Sequence, residues 1–89
     1  MDGRARLAWN VRRLRTAGGL SQEKLALDAG VAGPYLSRIE RGVVNPTIDV
    51  MDRLATAFGV PVDALLRARD AGEAAPEPLR AGRKPRKGQ

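Results

Sequence analysis

The sequence contains no cysteine and no histidine among its 89 residues. It therefore has no disulfide framework, no thiolate or imidazole metal ligand, and no Cys or His for nucleophilic or general-base chemistry. The hydroxyls of Ser21, Ser37 and Thr47 lack a histidine partner, and helix capping or an outward helix face accounts for them. We therefore expect no enzymatic activity and no cofactor.

Long apolar runs are missing as well. The charged start from Met1 to Arg6 is not followed by an apolar stretch, and the longest apolar stretches span only a few residues. Neither a signal peptide nor a membrane-spanning helix is expected. The sequence predicts a single-domain protein without membrane contact, located in the cytoplasm.

Basic residues outnumber acidic residues by 16 to 10, which gives a formal net charge of +6. Residues 1–66 hold 9 basic and 7 acidic residues, net +2, whereas residues 67–89 hold 7 basic and 3 acidic residues, net +4. A positive charge of this kind indicates an anionic partner such as DNA or RNA. In the more basic C-terminal part, the alternative is that the positive charge only improves the solubility of the protein.

Apolar spacing and end signals predict five helices and no strand. The first runs over about 2–17, and the second opens at Ser21, whose hydroxyl can cap it. Gly30 allows a sharp turn at positive φ. Pro34 is expected as the first residue of the third helix, with Gly33 as its cap.

The last two helices are predicted in the same way. Thr47 caps a fourth helix that Gly59 closes, and Pro61 starts a short fifth helix. The residues expected to face the core are Leu7, Val11, Leu14, Leu25, Ala26, Ala29, Leu36, Ile39, Ile48, Met51, Leu54, Ala55, Phe58, Val62, Leu65 and Leu66.

Helical periodicity is absent from residue 70 onward. Gly, Pro, Ala and charged residues dominate residues 70–89, and Leu79 is their only large apolar side chain. Such a segment cannot bury enough apolar area to offset the entropy lost on ordering. We expect a folded domain at 1–69 and a disordered basic tail at 70–89.

Three short motifs lie between residues 20 and 42. They read Leu20-Ser21-Gln22-Glu23-Lys24-Leu25-Ala26, then Gly30-Val31, then Tyr35-Leu36-Ser37-Arg38-Ile39-Glu40-Arg41-Gly42. Together they resemble the XRE-type, or lambda repressor and Cro, helix-turn-helix regulators, and the similarity extends over about 7–66. Ala26 leaves room for a crossing helix and Gly30 makes the turn. Leu36 and Ile39 anchor the third helix.

The resemblance implies an all-α, five-helix lambda repressor-like DNA-binding domain at 1–69, with its helix-turn-helix at about 21–41. A protein of this kind is expected with the nucleoid in the cytoplasm. In this family the third helix, here about 33–41, lies in the major groove and the second crosses the phosphate backbone. A sequence-specific transcriptional regulator, and more narrowly a repressor, is therefore expected, with double-stranded DNA as its partner. Arg38 is the strongest candidate for reading a base, because its guanidinium matches the paired acceptors of guanine. A phosphate contact or a solvated charge is the alternative for Arg38.

The sequence departs from the family at the start of the recognition helix. Gly33 and Pro34 stand at outward positions where relatives often carry Gln, Ser or Asn, and neither has a side-chain hydrogen-bonding group. We therefore expect fewer base-specific bonds and more dependence on DNA shape and phosphates. Phosphate contacts are expected from Ser21, Gln22 and Arg41. The full set of expected DNA-binding residues is Ser21, Gln22, Gly33, Pro34, Tyr35, Ser37, Arg38 and Arg41.

The resemblance also implies an internal ion pair between Arg15 and Glu40 that ties the recognition helix to the first helix. A solvated Glu40 that offsets Arg41 is the alternative.

Three apolar residues do not lie on the helix sides that are predicted to face the core: Trp9, Leu27 and Val50. Isolated exposed apolar side chains are ordinary, and a dimer or partner surface is the other interpretation. Family members bind two half-sites as symmetric dimers, so a homodimer is expected, with the fourth and fifth helices as a first guess for its interface.

Two related functions stay open. The same domain occurs in antitoxins and coactivators, where an appended segment engages a protein partner, and in controller proteins of restriction-modification systems. Residues 70–89 could engage such a partner, although one large apolar residue makes a poor clamp. Alternatively, residues 70–89 bind DNA phosphates. The residues expected to make these contacts are Arg80, Arg83, Lys84, Arg86 and Lys87.

Overall fold

The computed structural model describes residues 2–68, which form helices joined by short turns. The elements are α1 (Gly3–Ala17), α2 (Gln22–Ala29), α3 (Gly33–Arg41), α4 (Ile48–Phe58) and a 3₁₀ turn (Val62–Leu65). Within these residues there is no strand, and no helix has the length and apolarity to cross a membrane. The all-α class is confirmed. The predicted tail at 70–89 lies outside the described residues.

The fifth predicted helix is not an α-helix but a four-residue 3₁₀ turn. Pro61 precedes the turn as its cap, rather than beginning the helix. A segment of four residues closes i→i+3 bonds more readily than the longer rings of an α-helix, because too few residues follow to extend an α ladder. The structure therefore has four α-helices within residues 2–68.

The helix starts follow local capping chemistry. Ser21 and Thr47 each accept a hydrogen bond from the backbone amide three residues along, at 3.0 and 3.1 Å. The start of α3 differs from the prediction, because Ala32 rather than Gly33 is the cap and Pro34 is the second helical residue. Pro34 fits there because the first amides of a helix have no intrahelical acceptor.

One apolar core lies between the helices and the 3₁₀ turn. Its buried residues are Leu7, Val11, Leu25, Ala26, Ala29, Leu36, Ile39, Met51, Leu54, Ala55 and Leu65. The predictions for Ile48 and Leu66 were wrong, because these side chains are 60% and 36% exposed. Ile48 is the first residue of α4, before the helix reaches the core. Leu66 follows the 3₁₀ turn, whose threefold period points Leu65 inward instead.

The three apolar residues predicted to lie off the core-facing sides, Trp9, Leu27 and Val50, have three different environments. Leu27 is 77% exposed, as expected. Val50 is half-buried and packs against the core. Trp9, expected to be exposed, is only 5% exposed, and the guanidinium carbon of Arg13 lies 5.3 Å from its ring centroid. That distance is typical of a cation–π contact.

A buried polar residue fastens the end of the described chain to α1. The Asn10 side chain is almost wholly buried, and its Nδ2 donates to the carbonyl oxygens of Leu65 at 3.0 Å and Arg67 at 2.9 Å. Both amide hydrogens are therefore satisfied, which a buried amide requires. This contact holds the 3₁₀ turn against the first helix.

Candidate nucleic-acid interface

The turn between α2 and α3 is built on Gly30. Its backbone is left-handed, with φ of 72° and ψ of 35°, and the next amide, of Val31, donates to Ala26 O at 3.0 Å. Residues with a Cβ adopt this conformation only at a cost, so glycine suits the position. The chain thereby turns within three residues, and α3 starts at Gly33.

α3 is held against the rest of the molecule by its apolar side. Leu36 and Ile39 are 0% and 1% exposed, and Ala26 of α2 is buried in the same core. Tyr35 is half-buried and also packs against this core. It lies four residues before Ile39 and so shares its side of the helix. Only part of the Tyr35 side chain is therefore exposed on the outward face of α3. The sequence had predicted the whole side chain there.

The opposite side of α3 faces solvent. Pro34, Arg38 and Arg41 are exposed and follow each other at spacings of four and three residues, which places them on one face. Ser37, next to Arg38 on that face, is half-buried, as is Gly33 at the helix start. The outward face thus offers two guanidinium groups and one hydroxyl.

A charged cluster underneath fixes the orientation of α3. Glu40 is 4% exposed, and its Oε2 accepts from Arg15 Nε at 2.6 Å. Its Oε1 accepts from Arg15 Nη2 at 3.0 Å and from Gln22 Nε2 at 2.9 Å. Arg15 Nη1 also donates to Leu20 O at 2.8 Å. The expected contact between Arg15 and Glu40 is present, and Glu40 joins α3 to both α1 and α2.

The start of α2 keeps donors for an anion. Gln22, expected on a phosphate, uses one N–H on Glu40, which leaves the other N–H of the same nitrogen. The Ser21 oxygen accepts from Lys24 N, so its own O–H remains a donor. The helix N-terminus adds the positive end of its dipole.

Sequence reasoning missed two long-range contacts of this region. One is the bond from Gln22 to Glu40, and the other is Arg53 of α4, whose Nη1 lies 3.5 Å from Gly30 O. No local pattern signals either contact, because the partners are 18 and 23 residues apart. Arg53 therefore places a cation beside the turn.

Comparison with known proteins gives the same architecture. The helix-turn-helix family HTH_3 matches residues 11–65. The HTH-type transcriptional regulator y4dJ of Sinorhizobium fredii is 43% identical over 60 residues, which cover 67% of this chain and 78% of that protein. The chain spans 39–61% of the length of four further relatives at 38–40% identity.

Two crystal structures are similar over most of the described fold. The hypothetical transcription factor NHTF from Neisseria superposes with a TM-score of 0.72 at 39% identity, covering 74% of this chain and 76% of that one. The restriction-modification controller protein C.AhdI from Aeromonas hydrophila superposes with a TM-score of 0.68 at 37% identity, covering 70% and 94%. At 39% and 37% identity, both proteins are similar to this chain in sequence as well as in fold.

Proposed function

This chain belongs to the HTH_3 helix-turn-helix family, and its relatives include HTH-type transcriptional regulators. We propose that it represses transcription by placing α3 in the major groove of a specific DNA site. The observation that carries the proposal is the exposed pair Arg38 and Arg41 on a helix anchored from below by Glu40. A rigid helix with outward cations suits entry into a groove flanked by phosphates.

The start of α2 is proposed to bind the phosphate backbone. Its free donors are the Ser21 hydroxyl, the second N–H of Gln22 and the first amides of the helix. Arg41, at the other end of the motif, supplies a second phosphate contact. These contacts would position α3 without reading sequence.

Base recognition is proposed to rest mainly on Arg38. Its two-pronged guanidinium pairs with O6 and N7 of guanine, and Ser37 can add one hydrogen bond. Gly33 and Pro34 contribute no side-chain donor or acceptor, and the core holds part of Tyr35. The remaining specificity would come from groove shape and deformability.

The test begins with selection of sites from a random-sequence duplex pool by the full chain. Anisotropy titrations then compare the selected duplex with a scrambled duplex of equal length and composition. We expect tighter binding of the selected duplex, lost in the double variant Arg38→Ala/Arg41→Ala and kept in Arg67→Ala, which changes an exposed arginine after the 3₁₀ turn. Equal affinity of the unmodified chain for both duplexes would refute sequence-specific binding.

Binding as a symmetric dimer is proposed on family grounds alone. The selected sites should then contain an inverted repeat with half-site centres about one helical turn, roughly 10 base pairs, apart. A single asymmetric half-site with a one-to-one stoichiometry would contradict the dimer. Reporter output from a promoter carrying the site should fall when the chain is expressed, and a rise would contradict repression.

A role as a restriction-modification controller is the second candidate. The observation in its favour is the similarity to C.AhdI, 94% of which is covered by this chain. A controller should bind the promoter upstream of its own gene in a locus that also encodes a nuclease and a methyltransferase. Selected sites that map elsewhere in the genome would exclude this role.

A further inference from the structure

Two contacts join one side of α1 to the C-terminal end of α3. A Cβ placed on Gly42 would lie 3.7 Å from the Ala8 Cβ, and Arg15 donates to Glu40 at 2.6 and 3.0 Å. Arg12 comes four residues after Ala8 and three before Arg15, so it shares their side of α1 and lies between the two contacts. The surface is here called the α1–α3 junction, and its members are Ala8, Arg12, Arg15, Glu40 and Gly42.

Arg12 is the member of the junction whose charge is not paired. The ion pairs among residues 2–68 are Arg15–Glu40 and Lys24–Asp28. Arg12 takes part in neither, and its Nε is buried without an acceptor from the described part of the chain. Such an N–H is costly, and a charged oxygen is the acceptor that suits a guanidinium best. Since no ion pair holds it, the half-buried side chain can rotate outward to an anion without breaking one.

The junction adjoins the outward face of α3. Arg41, proposed above to bind a phosphate, is exposed and directly precedes Gly42, so it leaves α3 at the same end. With Arg41 included, this end of the motif holds three arginines and one carboxylate, Glu40, which is a net charge of +2. The carboxylate is already bonded to Arg15. The surplus positive charge therefore belongs to Arg12 and Arg41.

We propose that Arg12 binds a backbone phosphate of the DNA that α3 enters, next to the phosphate bound by Arg41. The inference rests on the proposed function and extends the interface to α1, outside the helix-turn-helix. Each DNA strand carries a phosphate every 3.4 Å or so along the helix axis, so a second phosphate is available close to the first. The contact would help to position α3 and would not read sequence.

The first test is a salt series with the selected and the scrambled duplex. Arg12→Gln should lower the slope of log K against log salt by about 0.9 on both duplexes, which means a loss of affinity about eightfold smaller for each tenfold rise in salt. The ratio between the two duplexes should not change. Arg12→Lys keeps the charge and should keep the slope. Circular dichroism checks that each variant is folded.

Arg6→Gln is the matched control. Arg6 is also a half-buried arginine of α1 whose Nε has no acceptor within residues 2–68. It lies two residues before Ala8, about 200° around the helix, and therefore points away from the junction. Its replacement removes the same charge from the same helix and should leave the slope unchanged.

A second test locates the contact on the DNA. Each phosphate of the selected duplex is replaced in turn by a neutral methylphosphonate, and the affinity of the unmodified chain should fall at several positions. In Arg12→Gln the loss should vanish at one of these positions, and in Arg41→Ala at a different one. Such a cycle of paired changes identifies the phosphate that each arginine contacts.

Three results would overturn the proposal. The first is a slope that Arg12→Gln leaves unchanged or that Arg6→Gln lowers equally. The second is a phosphate scan with the same profile for the unmodified chain and for Arg12→Gln. The third is weaker self-association of Arg12→Gln at an unchanged slope, which would assign the guanidinium to a carboxylate of a second copy.

Failure of this inference is distinct from failure of the proposed function. Equal affinity of the unmodified chain for the selected and scrambled duplexes would refute sequence-specific binding, yet the slope for Arg12→Gln could still be measured on either duplex. Conversely, a chain that prefers the selected duplex and shows no effect of Arg12→Gln would keep the proposed function and lose the α1 contact.

Discussion

Glu40 is a buried charge that depends on two other helices for its stability. It accepts two hydrogen bonds from Arg15 and one from Gln22, so its carboxylate is paired with a cation and bonded on both oxygens. A buried carboxylate is tolerated only with such partners. Glu40 lies on α3 beside Ile39, so the same cluster sets how α3 packs against the other helices.

Replacing Glu40 should destabilise the fold. In Glu40→Ala, Arg15 and Gln22 lose their common acceptor in a largely buried site, and the free energy of unfolding should fall by about 3 kcal/mol, the lower end for a broken buried pair because Arg15 keeps some solvent. Urea titration followed by circular dichroism measures the change. The control Glu23→Ala, at an exposed position, should change it by less than about 0.5 kcal/mol. Equal stability of the Glu40 and Glu23 variants would mean that the cluster does not hold the fold.

Arg38 and Arg41 should respond differently to truncation. Arg38→Ala should weaken binding to a selected duplex by about 1–3 kcal/mol and relax the preference at one base pair, because it removes a base contact. Arg41→Ala should weaken selected and scrambled duplexes alike and lower the salt slope by about 1, because it removes a phosphate contact. Anisotropy titrations over a salt series separate the two. Full discrimination retained by the Arg38 variant would remove it from base reading.

At the scale of the element, the connection between α2 and α3 depends on backbone conformation rather than on space. A Cβ at Gly30 would meet no atom within 4 Å, yet its φ is +72°. Gly33, also without a neighbour within 4 Å, has no positive φ because it is the first residue of α3. The two glycines therefore form a natural pair for comparison.

Alanine should have opposite effects at these two glycines. Gly30→Ala should lower the free energy of unfolding by about 1–2 kcal/mol, the cost of a left-handed residue with a Cβ. Gly33→Ala should be neutral or should stabilise the protein by up to about 1 kcal/mol, because alanine is the better helix former. Denaturant titrations of both variants decide the matter. A loss at Gly33 as large as that at Gly30 would argue against a conformational cause.

At the scale of the whole molecule, the described domain and the C-terminal residues differ in charge. Residues 2–68 hold 10 basic and 7 acidic residues, and residues 80–89 add five basic residues with no acidic residue. DNA binding that used all of these charges would combine a specific helix with a nonspecific cationic segment. The two contributions separate in the salt dependence of the affinity.

Removal of residues 80–89 should weaken binding to every duplex alike. The loss of five cations should flatten the slope of log K against log salt by up to about 4.5, while the ratio between selected and scrambled duplexes stays the same. A full-length chain with these five residues replaced by Gln is the matched control and should behave like the truncated chain. An unchanged slope would show that these residues do not contact phosphates.

The sequence alone determined the helices and the apolar side of each. Capping at Ser21 and Thr47 and the turn at Gly30 were predicted correctly, because each depends on the nearest few residues. The family and the outward position of Arg38 followed from the same local patterns. The predicted fifth helix is a 3₁₀ turn rather than an α-helix, because four residues can close either kind of turn and local pattern does not distinguish them.

Apart from the Arg15–Glu40 pair, which the family resemblance implied, only the tertiary structure decided which polar groups meet. Asn10 bonds to carbonyl oxygens 55 and 57 residues away, and Gln22 bonds to Glu40 across 18 residues. The burial of Trp9 and the inward packing of Tyr35 were decided there too. The physical reason is that helical periodicity assigns a residue to a face, whereas its neighbour on that face depends on how the elements pack together.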